Sequence, residues 1–159
     1  MEITYDNIVK WFDNYFAYFN KNAGALESVP NMTRYFTPDL EFWAYNQVGP
    51  KPSSREQLLM TMVHPGLHEH LTPRGYVVDL KQLIVVVQFE VQFSDKPSGK
   101  VWPAKQTSTH YHLVLDENQE LKIKKILYFM ELRPPEESSY RELWVRYRDE
   151  ALAKQKKKQ

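Results

Sequence analysis

The chain has 159 residues, 42% hydrophobic and 14% aromatic, enough for one domain with a substantial core. A formal net charge of +1 gives no electrostatic ground for a nucleic-acid or membrane-surface partner. The absence of cysteine excludes a disulfide framework, thiol catalysis and thiolate metal sites. No basic segment followed by an apolar run opens the chain, and the longest apolar stretch, Leu83 to Val87, is too short to cross a bilayer, so a cytoplasmic protein is expected.

Over residues 6–20, Ile8, Phe12, Tyr15, Phe16 and Phe19 recur at helical spacing and predict one buried helix face, with Asp6 as N-cap and a stop at Asn22 to Gly24. Ser28-Val29-Pro30 opens a short second helix that Thr37-Pro38-Asp39 closes. Residues 40–47 alternate as a strand, with Leu40, Phe42, Ala44 and Asn46 inward. After the Gly49 to Pro52 loop, Ser53 and Glu56 form a capping-box pattern for a third helix, broken at Pro65-Gly66. Strands are predicted from Tyr76 onward. In residues 83–94, Leu83, Val85, Val87, Phe89, Val91 and Phe93 share one face, and Gln88, Glu90 and Gln92 the other. A strand to Leu115, a turn at Asp116 to Gln119 and a last strand over 121–132 follow. Pro134-Pro135 stops the sheet, and Ser139-x-x-Glu142 caps a final helix carrying Leu143, Trp144 and Tyr147. Residues 1–135 form the expected domain, and 136–159 a helix with a basic tail. Helices can cover only one face of such a sheet; the other is expected to be solvated or to meet a partner.

Three segments then carry a resemblance: Tyr15-Phe16-Ala17-Tyr18-Phe19-Asn20, Phe36-Thr37-Pro38-Asp39-Leu40-Glu41-Phe42, and His112 to Asp116 followed by Leu121 to Phe129. In this order they resemble the nuclear transport factor 2-like superfamily, in its polyketide-cyclase (SnoaL-like) and ketosteroid-isomerase branch. The resemblance implies an α+β cystatin-like cone, a curved antiparallel sheet wrapped around N-terminal helices, here with an extra C-terminal helix. It also implies a pocket working without a cofactor. Matched to the isomerases, Tyr15 falls on their tyrosine donor, Asn46 on the general-base aspartate, and Tyr111 near the second acid. An amide cannot take a proton, so that base is missing at position 46.

His110 and His112 are the candidate bases near neutral pH, Tyr15 being the third candidate catalytic residue. Strand alternation sends Tyr111 inward with Leu113 and both histidines outward, unless a β-bulge reverses them. Asn46, Tyr111, Trp43 and Phe19 are the candidate ligand contacts, although Trp43, Tyr45 and Trp102 also read as interface aromatics. His64, His68 and His70 could in principle hold zinc, but the proline break between them argues for a surface loop and no metal. No phosphate loop, nucleophile elbow or dinucleotide fingerprint is present. The leading expectation is a homodimeric pocket protein for a small apolar, polyketide- or terpenoid-like molecule, acting as a cofactor-free isomerase, dehydratase or cyclase. The alternative is a non-catalytic homodimeric binding or adaptor domain. Fold alone does not choose between them.

Overall fold

The computed structural model describes residues 2–45 and 51–157. Helix α1 (Tyr5–Asn22) is followed by a short 3-10 turn (Val29–Tyr35), strand β1 (Phe36–Ala44), helix α2 (Arg55–Thr61), strands β2 (Leu67–Asp79), β3 (Ile84–Asp95), β4 (Lys105–Leu115) and β5 (Leu121–Met130), a second 3-10 turn (Pro135–Ser138), and helix α3 (Tyr140–Lys156). The five strands form one sheet in the order β1-β5-β4-β3-β2. It is mixed rather than wholly antiparallel, because β1 runs parallel to β5 while the other pairs are antiparallel.

Helix α1 buries Ile8, Phe12, Tyr15, Phe16 and Phe19 against the concave sheet face, as its spacing predicts. Its N-cap is Thr4 rather than Asp6: the Thr4 hydroxyl accepts from the Asn7 amide at 3.3 Å. The capping box of α2 likewise sits one residue later than expected, on Ser54 and Gln57. Ser139 precedes α3 without capping it, and its hydroxyl instead accepts from the Trp102 indole at 3.0 Å.

The largest departure from the sequence reading is β2, which begins at Leu67, nine residues before the expected strand start at Tyr76, and runs through Pro73 and Gly75. β2 is an edge strand, where a proline's missing N–H leaves no ladder bond unmade. The pairing with β3 absorbs both residues in a register shift between them. Asn20 of α1 closes part of the open edge. Its amide donates to the Leu71 carbonyl at 2.9 Å and accepts from the Leu71 N–H at 2.8 Å, as a paired strand would.

In β4, Lys105, Thr107, Thr109, Tyr111 and Leu113 are all buried, an unbroken alternation. The irregularity in its pairing with β5 falls between His112 and Leu113, where the extra residue is Lys124 on β5, so the faces of β4 are not exchanged. On the convex side, Val77, Val86, His110, Leu127 and Trp43 form a register row across all five strands.

Helix α3 is docked, not appended. Tyr140 stacks on Phe93 at 4.0 Å between ring centres, the Trp144 indole donates to the Thr61 carbonyl at 2.7 Å, and the Tyr147 hydroxyl donates to Asp95 at 2.7 Å. Trp102, expected on the outer face, is 2% exposed beneath this helix, its ring edge-on to Tyr140. The backbone crossing from Trp102 N–H to the Phe93 carbonyl turns the indole inward, and only α3 makes that side a core.

Two predictions follow from this docking. A Cβ at Gly66 would overlap the Tyr147 ring, so Gly66→Ala should cost about 1–3 kcal/mol in urea unfolding. The same change in a Tyr147→Ala background should cost much less. Hydrogen bonds, first from Ser98 and then from Tyr147, hold the Asp95 carboxyl below the usual carboxylate range. The stability they contribute is therefore present above about pH 3.9 and is lost as pH falls through the lower folded-state value. Thermal midpoints of the wild type should fall more on acidification than those of Asp95→Asn.

Candidate active site

The concave sheet face, α1, α2 and α3 enclose a cavity of about 440 Å³. Most of its wall is apolar or aromatic: Phe19 from α1, Leu58 and Met62 from and just after α2, Phe89 and Phe93 from β3, and Ile126 from β5. Its lining also includes the tyrosines Tyr15, Tyr111, Tyr128 and Tyr140, the acid Glu69, and the arginines Arg141 and Arg148. Such a wall with a few polar groups is the usual make-up of a small-molecule site.

Glu69 is the one acidic residue lining this cavity among the described residues. It stands on β2 with its side chain 10% exposed, and its Oε2 lies 3.1 Å from Nε2 of His64, whose side chain is 1% exposed. The loop after α1 fixes His64 from behind. Gly24, at φ +101°, donates its N–H to the Met62 carbonyl at 2.7 Å and accepts the His64 N–H at 2.9 Å. That backbone angle favours glycine. From the other side the Trp144 ring of α3 packs edge-on against the imidazole at 4.9 Å. Nδ1 of His64 is buried without a hydrogen-bond partner. A bare lone pair there costs less than an unmade N–H bond, which places the ring proton on Nε2, donating to Glu69.

Burial pushes the Tyr15 phenol up, and the Glu69 charge adds to the effect. Tyr111 is pushed well up, first by burial and then by Tyr15 and Tyr128. Tyr128 is raised by burial and by Glu69, and its hydroxyl donates to the Met130 sulfur at 3.4 Å. At neutral pH these phenols keep their protons. No group of His, Cys, Asp and Glu suited to a metal is found among the described residues.

Of the residues singled out from sequence, Tyr15, Phe19 and Tyr111 line the cavity together. His110 and His112 do not reach it. Both lie on the convex face, where His110 packs beside the Phe129 ring at 5.4 Å, and His112 is lowered in pKa by burial and by Lys125. Trp43 also faces outward, donating to Glu41 at 3.2 Å with the Lys125 ammonium 5.8 Å from its ring centre, and its neighbour Phe42 takes the inward place. Asn46 lies outside the described residues. His64 proves to be buried rather than part of a surface loop. Sequence reasoning missed Glu69 because β2 was not recognised before Tyr76. The alternation of Leu67, Glu69 and Leu71 was the available signal.

No protein-family model matches the chain, and no curated protein matches it. Solved structures do. The structure of ActVI-ORFA from Streptomyces coelicolor superposes with a TM-score of 0.61 at 12% identity, covering 80% of this chain and 97% of that one. An NTF2-like protein from Anabaena variabilis gives 0.59 at 16% identity over 84% and 96%. The pinacolase BvnE from Penicillium brevicompactum gives 0.58 at 15% identity over 89% and 92%. The chain has the nuclear transport factor 2-like fold. In this nuclear transport factor 2-like cone, the cavity occupies the space between α1 and the sheet, and α3 supplies a further wall.

Proposed function

We propose that the chain binds a small, mostly apolar molecule in this cavity and performs cofactor-free acid–base chemistry on it, an isomerisation, dehydration or cyclisation. The observation that carries the reading is a carboxylate, Glu69, held by a buried histidine in the wall of a mostly apolar cavity that Tyr15, Tyr111, Tyr128 and Tyr140 also line. His64 takes one Glu69 oxygen and leaves the other for a ligand. That oxygen would remove a proton from a carbon next to a carbonyl, and Tyr15 or Tyr111 would donate a hydrogen bond to the oxygen on which charge develops. Return of the proton at another carbon completes an isomerisation. Expulsion of a β-hydroxyl as water completes a dehydration. That a pinacolase is built on the same fold supports the reading at the level of the fold.

The test is a thermal-shift screen of small carbonyl compounds, followed by hydrogen–deuterium exchange at the α-carbon of each hit, observed by NMR. Wild type should catalyse exchange, and Glu69→Gln should slow it by about 10²–10⁴-fold. Tyr15→Phe should weaken binding by about 0.5–1.5 kcal/mol. Binding with no exchange would favour the non-catalytic alternative, and no binding at all would overturn the pocket reading.

The reading includes a two-fold homodimer through the convex face. The row from Val77, 69% exposed, to Trp43 supports it, as does Tyr45, 53% exposed and stacked on Phe129. Light scattering at micromolar concentration should give twice the chain mass, and a Val77→Glu variant the mass of one chain.

A further inference from the structure

Helix α3 brings charge as well as rings to the cavity. Arg141 and Arg148, seven residues apart and so on one helix face, both line it. Arg148 is held by its neighbour Asp149, which accepts from Nε and Nη2 at 3.1 Å each. Around α3 the other ion pairs join Arg133 to Glu137 and Arg146 to Glu150, and among the described residues none reaches Arg141. Glu69, the acid of the cavity wall, is engaged by His64 instead.

A second cation reinforces the local charge. Lys105 is 1% exposed; its ammonium donates to the Ser138 hydroxyl at 2.8 Å and lies 4.8 Å from the Tyr140 ring centre. Burial and then the charges of Arg141 and Arg133 push its pKa down, while Glu137 and Glu131 push the other way. The Tyr140 hydroxyl is buried, which pushes its pKa up, while the Arg141 guanidinium beside it pulls the other way. Arg141, exposed and without an ion-paired acid among the described residues, and the Tyr140 phenol it acts on therefore line the cavity together.

We propose that Arg141, with the Tyr140 hydroxyl beside it, is an anion subsite that takes the carboxylate of an otherwise apolar ligand. The inference rests on the pocket reading above and narrows the ligand to apolar carboxylic acids. A guanidinium fork matches a carboxylate in shape and charge. Lys105 is committed to Ser138 and sealed, so the subsite offers one cation to the ligand, which suits a monoanion better than a phosphate dianion. The Arg141 guanidinium would hold the ligand's carboxylate and leave its apolar body to the aromatic wall.

The experiment uses a matched pair of probes, 1-naphthaleneacetic acid and its uncharged primary amide, titrated into the full chain by calorimetry. Wild type should bind the acid at least about tenfold more tightly than the amide, a difference of about 1.4 kcal/mol. Arg141→Gln should abolish that preference by weakening the acid alone, and Arg141→Lys should restore part of it. Excess inorganic phosphate should leave acid binding unchanged. Equal affinity of acid and amide for wild type would overturn the assignment. So would a preference that survives Arg141→Gln, equal weakening of both probes in that variant, or displacement of the acid by phosphate. If the amide binds and the acid does not, the anion subsite fails while the pocket stands; if neither binds, both readings fail.

Discussion

The hydrogen bond between His64 and Glu69 is the constraint on which this architecture turns. A carboxylate in a largely apolar cavity persists only if a donor compensates for lost water. His64 is that donor, and it is itself immobilised by the Gly24 carbonyl behind α1 and the Trp144 ring of α3. One pair thus ties together the ends of α1 and α2, the start of β2 and the middle of α3. Removing one partner of such a buried pair typically costs about 3–5 kcal/mol, several times what a surface pair contributes.

Helix α3 completes the site by closing the cone. Tyr140, Trp144 and Tyr147 bury their rings while each polar tip lies within the interface, the indole on a backbone carbonyl and the Tyr147 phenol on Asp95. The absence of a side chain at Gly66 lets the Tyr147 ring approach β2 closely. The same helix also carries Arg141 and Arg148 to the cavity wall. The cavity wall therefore carries both signs of charge, one glutamate and two arginines, among apolar side chains.

The two sheet faces divide the chemistry. Strand alternation sends Tyr111 into the cavity and, by the same geometry, His110 and His112 away from it. A histidine is the usual base near neutral pH, yet His110 and His112 stand on the sheet face away from the cavity, while His64 pairs with the cavity-lining Glu69.

Much of the fold was legible in the sequence because it is written in periodicity. The α1 stripe, the alternation of β3 and β4 and the apolar side of α3 report which residues face inward, and so identified Tyr15, Phe19 and Tyr111. What periodicity cannot report is which separate elements meet. Glu69 and His64 are five residues apart but become a pair only when an edge strand tolerates Pro73 and Gly75 and α3 covers the imidazole. Trp102 became core and Arg141 a cavity residue for the same reason. The sequence by itself determined the elements and their inward faces, which depend on local steric and hydrophobic patterning. The tertiary structure alone decided the charged pair, the fourth wall and the charges of the cavity lining, because those depend on contacts of α3 with α2 and β3, more than forty residues earlier in the chain.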